Sequence, residues 1–366
     1  LSVVYINYAR RNTKKLDNFL LNVWNEAHKL FPYKHHQRRY SFNVLFTGDM
    51  GETDYFAGIG GMDTSIIFLH NFEKGSFLKA VNIITHELIH RWISPEYINL
   101  RDQEWCRKWF TEGFTEYFAM KINLSAEYME KNKIRLLQEY IDKHNTSLIM
   151  YHTYLENEVT ETSKKFMKFL APYLQGKMLA SNLDYNIYKY SKGKYRLDNV
   201  VQDLQKLLIN NQELTLDKFY KIGNHYWPEF KQYTSFILSG KKNLISYEGE
   251  FGKCVKLDYK KYALGNYYGL DYIQALQNNV ITEVRKGDLM HKLGLHNGQK
   301  ILEVTSIDNN NPLLPIKLVW REKNQVIRSV IINRVPVFTT VPRYSIDKDL
   351  YNWPHKRCIE YFKIRK

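Results

Sequence analysis

Three cysteines in 366 residues, Cys106, Cys254 and Cys358, are odd in number, scattered and without a C-x-x-C pair. They exclude a disulfide framework and a thiolate zinc site, and they leave the redox compartment open. No run of 18 apolar residues occurs, so no segment reads as a membrane-spanning helix. Internal repeats and low-complexity stretches are absent as well. The net charge of +15 has no focus: basic residues are spread along the chain, and Arg38-Arg39 and Lys241-Lys242 are too short to dock a polyanion. Nucleic acid is therefore not an expected partner. No signal-peptide pattern is present, and the first residue is Leu1 rather than Met. The chain reads as a fragment or processed form, with its localisation unknown. What it has in quantity is aromatic side chains, 15% of residues with 28 Tyr, which rules out a disordered chain. Its length leaves room for two or three domains with a sizeable core.

The most informative stretch is His86-Glu87-Leu88-Ile89-His90, followed by Glu112 in Trp109-Phe110-Thr111-Glu112-Gly113-Phe114. Two imidazoles four residues apart on a helix point the same way, about one turn (~6 Å) apart, and can share one tetrahedral cation. Glu87, between them, is placed to deprotonate a water. A carboxylate on a following helix completes three ligands and leaves the fourth position open, as a catalytic zinc site requires. The helical setting supports this. Stepping 100° per residue from Leu88, the residues Phe77, Val81, Ile84 and Trp92 fall within about 40° of it, with His86 and His90 on the far side. One face packs on a core while the opposite face carries the ligands. Ser76 is the expected N-cap and Pro95 the expected stop. The competing reading is a solvated face that happens to hold two histidines.

A second helix is expected from about 105 to 122. Glu112 and Glu116 stand at i and i+4 on it, so both look the same way. Glu112 would ligate the metal. Glu116 would accept the distal N–H of a ligand histidine and fix its tautomer, or else be an ordinary solvated carboxylate. Gly113 sits where a helix prefers Ala, a cost of about 1 kcal/mol that points to close packing.

Periodicity predicts an amphipathic helix over 13–31, strands over 40–46 and 66–69, and helices over 126–143, 165–190, 197–209 and 215–222. After the break at Ser239-Gly240-Lys241-Lys242 the rhythm changes to short strands, at 280–284, 301–304, 316–320 and 326–332. A brief helix ending at Gly294-Leu295 and a turn at His296-Asn297-Gly298 lie between the first two. The fold class expected is α+β: a mainly helical domain with a small sheet over 1–245, a β-rich domain over 250–340, and a tail over 341–366.

In this order, the pieces resemble the glycyl aminopeptidase family of gluzincin metallopeptidases (the family-61 metallopeptidases), distant relatives of the aminopeptidase N family. Four local matches carry the resemblance. His86-Glu87-Leu88-Ile89-His90-Arg91-Trp92 has its Trp two places after the second His. Trp109-Phe110-Thr111-Glu112-Gly113-Phe114-Thr115-Glu116-Tyr117 is similar to W-x-S-E-G-F-T-x-Y, and 21 residues separate His90 from Glu112. Pro172-Tyr173-Leu174-Gln175-Gly176-Lys177, heading a helix and followed by Leu197-Asp198-Asn199-Val200, resembles the Y-x-K-G helix and the L-D-D-V segment after it. Gly60-Gly61-Met62-Asp63 stands where the family carries G-G-L-E.

The resemblance implies a thermolysin-like zinc metallopeptidase domain followed by a PDZ-like domain, with a β-sandwich expected to precede them. It implies one Zn²⁺ on His86, His90 and Glu112, with Glu87 as general base and the Tyr173 phenol as oxyanion donor. Gly60 and Gly61 would pair with substrate backbone, and Asp63, one methylene shorter than the family's Glu, would hold the substrate's α-ammonium. Peptides are the implied substrates, with Gly or Ala favoured at the first position. The PDZ-like domain, with Lys292-Leu293-Gly294-Leu295 and a carboxylate-binding loop at Tyr268-Gly269-Leu270-Asp271, would take a peptide or C-terminal ligand along a sheet edge. The alternatives are an endopeptidase of the same clan, or a non-catalytic PDZ adaptor that kept its metal site.

Overall fold

The computed structural model describes residues 2–6, 14–31, 40–47, 56–60, 64–70, 77–93, 108–156, 161–210, 212, 214–238, 255–263, 279–281, 284, 286, 289–305, 316–322, 325–332 and 338–346. The expected Ser76 cap, the Pro95 stop, the residues Gly61 and Asp63 and the Tyr268–Asp271 loop lie outside them, as do residues 347–366. The chain is mixed α and β, mostly helical with small sheets. Contacts divide it into two units, Leu1–His144 with Ala171–Lys256 and Tyr344–Lys366, and Asn145–Leu170 with Leu257–Arg343. Residues 145–170 thus group with the β-rich part, whereas the sequence pattern assigned them to the 1–245 domain.

The first unit opens with β1 (Ser2–Ile6), α1 (Lys14–Leu30), β2 (Ser41–Thr47), β3 (Phe56–Gly60) and β4 (Thr64–His70). These strands form one sheet in the order β1-β2-β4-β3, parallel except for the antiparallel edge strand β3. Strand period fixes which face is buried. Phe42, Val44 and Phe46 of β2 stand opposite Ser65, Ile67 and Leu69 of β4, and all six are buried. Against that face packs α2 (Phe77–Ile89), which meets β3, β4 and α1. Val81, Ile84, Leu88 and Trp92 are buried, as the helical stripe predicts, each contributing roughly 1.5–3 kcal/mol of apolar transfer. The opposite face is not solvated either: His86, Glu87 and His90 are buried too.

A π-helical turn, Trp109–Phe114, runs into α3 (Thr115–Ser125) where a continuous α-helix was expected. The wider turn re-aims Glu112 within one helical segment. The three aromatics of this turn, Trp109, Phe110 and Phe114, lie 5.6–6.2 Å from the ring of Phe219 and anchor it in the core. Then come α4 (Lys133–Glu156), α5 (Glu161–Tyr190), α6 (Leu197–Ile209), α7 (Leu216–Tyr226) and α8 (Phe230–Leu238). The helix expected over 165–190 is present as α5, and Pro172, read also as the head of the Tyr173 segment, lies inside it, where it gives no N–H to the preceding turn. Gly193, at φ +86°, ends α5 by donating its N–H to the Tyr188 carbonyl at 2.8 Å.

One buried carboxylate ties three of these helices together. Asp184 of α5, fully buried, accepts from Arg196 Nε (3.0 Å), the Tyr117 phenol (2.5 Å) and the Leu197 N–H (2.7 Å) at the start of α6. Lys121 of α3 stands 3.8 Å from it and 2.5 Å from Asp198. Burial alone would raise the Asp184 carboxyl, but Arg196 and Lys121 hold it well below the usual carboxylate range. Asp184→Asn leaves two cations short of their counter-charge and should lower stability by about 3–5 kcal/mol in denaturant unfolding. Because the folded-state pKa is depressed, this contribution is complete at neutral pH and fades as pH falls below about 4. The wild-type and Asp184→Asn stabilities should therefore converge toward pH 2.

The second unit contains the sheet β6-β7-β8 (Lys300–Thr305, Ile316–Arg321, Ile327–Ile332), antiparallel throughout. Its core is Ile281, Met290, Leu295, Ile301, Leu318 and Trp320. The brief helix α9 (Leu289–Lys292) ends where expected: Gly294 takes φ +82° and the Leu295 N–H reaches back to the Met290 carbonyl at 3.0 Å. A two-stranded sheet pairs β5 (Val255–Ala263) with β9 (Phe338–Ile346).

Candidate active site

Helix α2, the turn that follows it and the π-helical turn bring His86, His90 and Glu112 to one point. The two Nε2 atoms lie 3.1 Å apart, and Glu112 Oε2 lies 3.3 Å from His86 Nε2 and 3.5 Å from His90 Nε2. Ligands about 2.05 Å from a tetrahedral zinc stand about 3.3 Å from each other, so this triangle fits one such ion. Cysteine is absent from the set, which is the His₂Glu donor chemistry of a three-ligand site with one open position. Of the other ring nitrogens, His90 Nδ1 has a hydrogen-bond acceptor that turns its Nε2 inward, whereas His86 Nδ1 is buried and makes no hydrogen bond among the described residues. His90 Nδ1 is 3.0 Å from the Ile93 carbonyl, and His86 Nδ1 is 3.4 Å from Glu116 Oε1.

Glu116 is buried, not a solvated helix carboxylate. Burial would raise its carboxyl, but Lys143 at 2.9 Å, His86 and Lys177 hold it low. Lys177 of α5 had no signal in the sequence beyond its place after Gly176. It is buried with its ammonium 3.9 Å from the centre of the Tyr140 ring, and burial lowers its pKa to about 7. Tyr140 in turn donates its hydroxyl to the Glu116 carbonyl at 3.3 Å.

Glu87 has the reverse perturbation. Burial raises its carboxyl, the two imidazoles oppose, and Glu112 and Glu116 add to the rise. Glu112 itself is held well below the usual range: burial would raise it, but the bonds from His86 and His90 win. His90 is raised, since Glu112 and Glu87 outweigh the lowering that burial alone would impose. Carboxylates with pKa values pushed apart are what a site needs to give one the work of a base and another that of a fixed anion.

The Tyr173 ring stacks on His86, with centroids 6.1 Å apart and planes 18° from parallel. Burial and the Glu112 carboxylate, with which it hydrogen-bonds, raise the phenol, so it stays a proton donor. Its place depends on two glycines. A Cβ on Gly113 would stand 2.4 Å from the Cα of Gly176, and one on Gly176 would stand 2.3 Å from the Trp109 carbonyl oxygen. The π-helical turn and α5 therefore touch backbone to backbone, one turn from Tyr173. The close packing expected at Gly113 is present, with a partner that only the fold identifies.

The edge strand β3 closes on the same centre. Gly58 and Gly60 share one strand face, and a Cβ at either would meet Glu87, at 2.4 Å from Cγ for Gly58 and 2.7 Å from the carbonyl oxygen for Gly60. Gly60 was expected near the site, and Gly58 was not, although the G-x-G alternation puts both on one face.

No protein-family model and no curated protein matches the chain. Among solved structures, the chain is similar to the crystal structure of an aminopeptidase N family protein from Idiomarina loihiensis. The match covers 99% of this chain and 68% of that one at 14% identity, with a TM-score of 0.60. The two chains share a fold, and at that identity the likeness is one of fold alone.

Proposed function

We propose that the chain is a zinc-dependent aminopeptidase that removes N-terminal residues, small ones such as Gly or Ala by resemblance, from peptides. The observation that carries this is the triangle of His86 Nε2, His90 Nε2 and Glu112 Oε2, with edges of 3.1–3.5 Å, beside the buried Glu87. Zinc held there supplies Lewis-acid polarisation of the scissile carbonyl and an acidified water. Glu87 takes the proton of the attacking water and passes it to the nitrogen of the departing amine. The Tyr173 phenol donates to the oxygen on which negative charge develops. The edge strand β3, which pairs with β4 alone among the described residues and is made slim by Gly58 and Gly60, would let an extended substrate backbone lie close to Glu87. Gly61 and Asp63 would continue that contact, with Asp63 holding the free amine. The PDZ-like reading of the β-rich unit is proposed on the resemblance of its motifs.

Hydrolysis of aminoacyl peptides against their N-acetylated counterparts tests the aminopeptidase assignment. The free-amine substrates should be cleaved at least about 100-fold faster, and equal rates would make the enzyme an endopeptidase. Tyr173→Phe should lower kcat by about 10²–10³-fold, the range for one lost oxyanion donor, with zinc content unchanged. Steady-state kinetics decides it: an unaltered kcat would remove Tyr173 from the mechanism.

A further inference from the structure

Helix α2 stops at Ile89, and beyond it the Arg91 N–H donates to the Leu88 carbonyl (3.2 Å) and the Trp92 N–H to the Ile89 carbonyl (2.8 Å). The Glu87 carbonyl is taken up from the side, by the Ser65 hydroxyl of β4 at 2.8 Å. Tyr40 Oη, just before β2, lies 2.5 Å from Ser65 Oγ and 3.4 Å from the same carbonyl. Each hydroxyl carries one proton. The Ser65 proton goes to the carbonyl, so the Tyr40 phenol donates to Ser65, and the relay runs Tyr40 to Ser65 to Glu87. All three residues are buried. Ser65 stands opposite Gly60 in the β3–β4 register, where the missing side chain leaves the carbonyl oxygen its room. Tyr40 is held by Trp24, stacked at 5.6 Å, and by the Arg91 guanidinium, 5.6 Å from its ring centre.

The tightened turn after Ile89 brings the Ile93 carbonyl back to His90 Nδ1 at 3.0 Å. A helix continuing regularly would give the Arg91 N–H to Glu87 and carry the Ile93 carbonyl onward along the axis, away from the His90 ring. We infer that Ser65, oriented by Tyr40, is a positioning residue that holds the Glu87 carbonyl outside the helical ladder. In doing so it sets where α2 ends and how Glu87 and His90 are aimed. Its consequence for metal binding rests on the peptidase reading, whereas its consequence for the backbone does not.

The test uses Ser65→Ala, Ser65→Thr and Tyr40→Phe in the whole chain. In metal-free protein, hydrogen exchange of the segment 88–93, read by mass spectrometry, should change by at least tenfold in Ser65→Ala, because the Arg91 N–H is then able to leave the Leu88 carbonyl for that of Glu87. Zinc affinity, measured by competition with a chelator, should fall by about 10–100-fold, as for other outer-shell partners. Ser65→Thr, which keeps the hydroxyl, should restore both, and Tyr40→Phe should change both in the same direction by less. Wild-type exchange in segment 88–93 of Ser65→Ala, or a loss that Ser65→Thr does not repair, overturns the inference. Failure of the wild-type protein to bind zinc would sink the peptidase reading, and the exchange measurement would still decide this one.

Discussion

Glu87→Gln should lower kcat by about 10³-fold or more while zinc content and thermal stability stay at wild-type values. Gln has the volume of Glu and can keep its packing beneath Gly58, so the substitution removes one thing, the ability to take and return a proton. A positioned acid–base group contributes about 10²–10⁴-fold, and Glu87 is asked to act twice, on the water and on the leaving amine. Its surroundings suit that work. Burial raises its carboxyl, and Glu112 and Glu116 push the same way, so it holds a proton more readily than an exposed glutamate would. The measurement is initial rates on an aminoacyl-amide panel beside metal analysis of the same sample. Activity retained with metal bound would transfer the role of base to another group.

The parts of this site that were legible in the sequence are those set by local geometry. His86 and His90 face one way because i and i+4 do so on any α-helix. The buried stripe of Val81, Ile84, Leu88 and Trp92 follows from the same period. The strand after Gly60-Gly61-Met62-Asp63, the cap at Gly294 and the turn at Gly298, which takes φ +87°, were likewise written locally. What could not be read depends on which segments meet. Lys177 and Lys143 sit around Glu116 because α4 and α5 pass beside α3, and nothing in a lysine's own neighbours announces that it is buried. Ser65 and Tyr40, 22 and 47 residues from Glu87, carry no motif. The π-helical turn at Trp109–Phe114 has no distinguishing composition. Pro172 stands inside the helix expected over 165–190, although a proline by itself argues for a helix start. A proline usually opens a helix because its interior cost is about 3 kcal/mol. Here α5 runs through it, with Leu174, Met178 and Leu179 buried just beyond. The meeting of Gly113 with Gly176 shows both halves of the lesson: the helical glycine advertised a close approach but not what approached.

Glu112→Gln should lower zinc affinity by more than about 100-fold and remove measurable hydrolysis, and Glu116→Gln should lower affinity by only about 10–100-fold. The two carboxylates stand four residues apart on one helical segment and both lie against His86, so charge and distance in sequence do not separate them. Geometry does. Glu112 Oε2 stands 3.3 and 3.5 Å from two Nε2 atoms at once and closes the triangle, whereas Glu116 Oε1 faces Nδ1, on the outer side of the ring, at 3.4 Å. An amide at 112 loses the anionic donor of the centre. An amide at 116 leaves all three donors in place and weakens only the grip on the His86 ring, where Lys143 and Lys177 would also lack their counter-charge. Stability reports the same difference: zinc at about 100 times its dissociation constant should add about 2.7 kcal/mol to the wild-type protein. That gain should vanish in Glu112→Gln and persist, at higher zinc concentration, in Glu116→Gln. Chelator competition and zinc-dependent melting, run on both variants, read the two predictions independently. Equal affinities in the two variants would mean that Glu112 is no closer to the metal than its neighbour one turn along, and the three-ligand site would have to be redrawn.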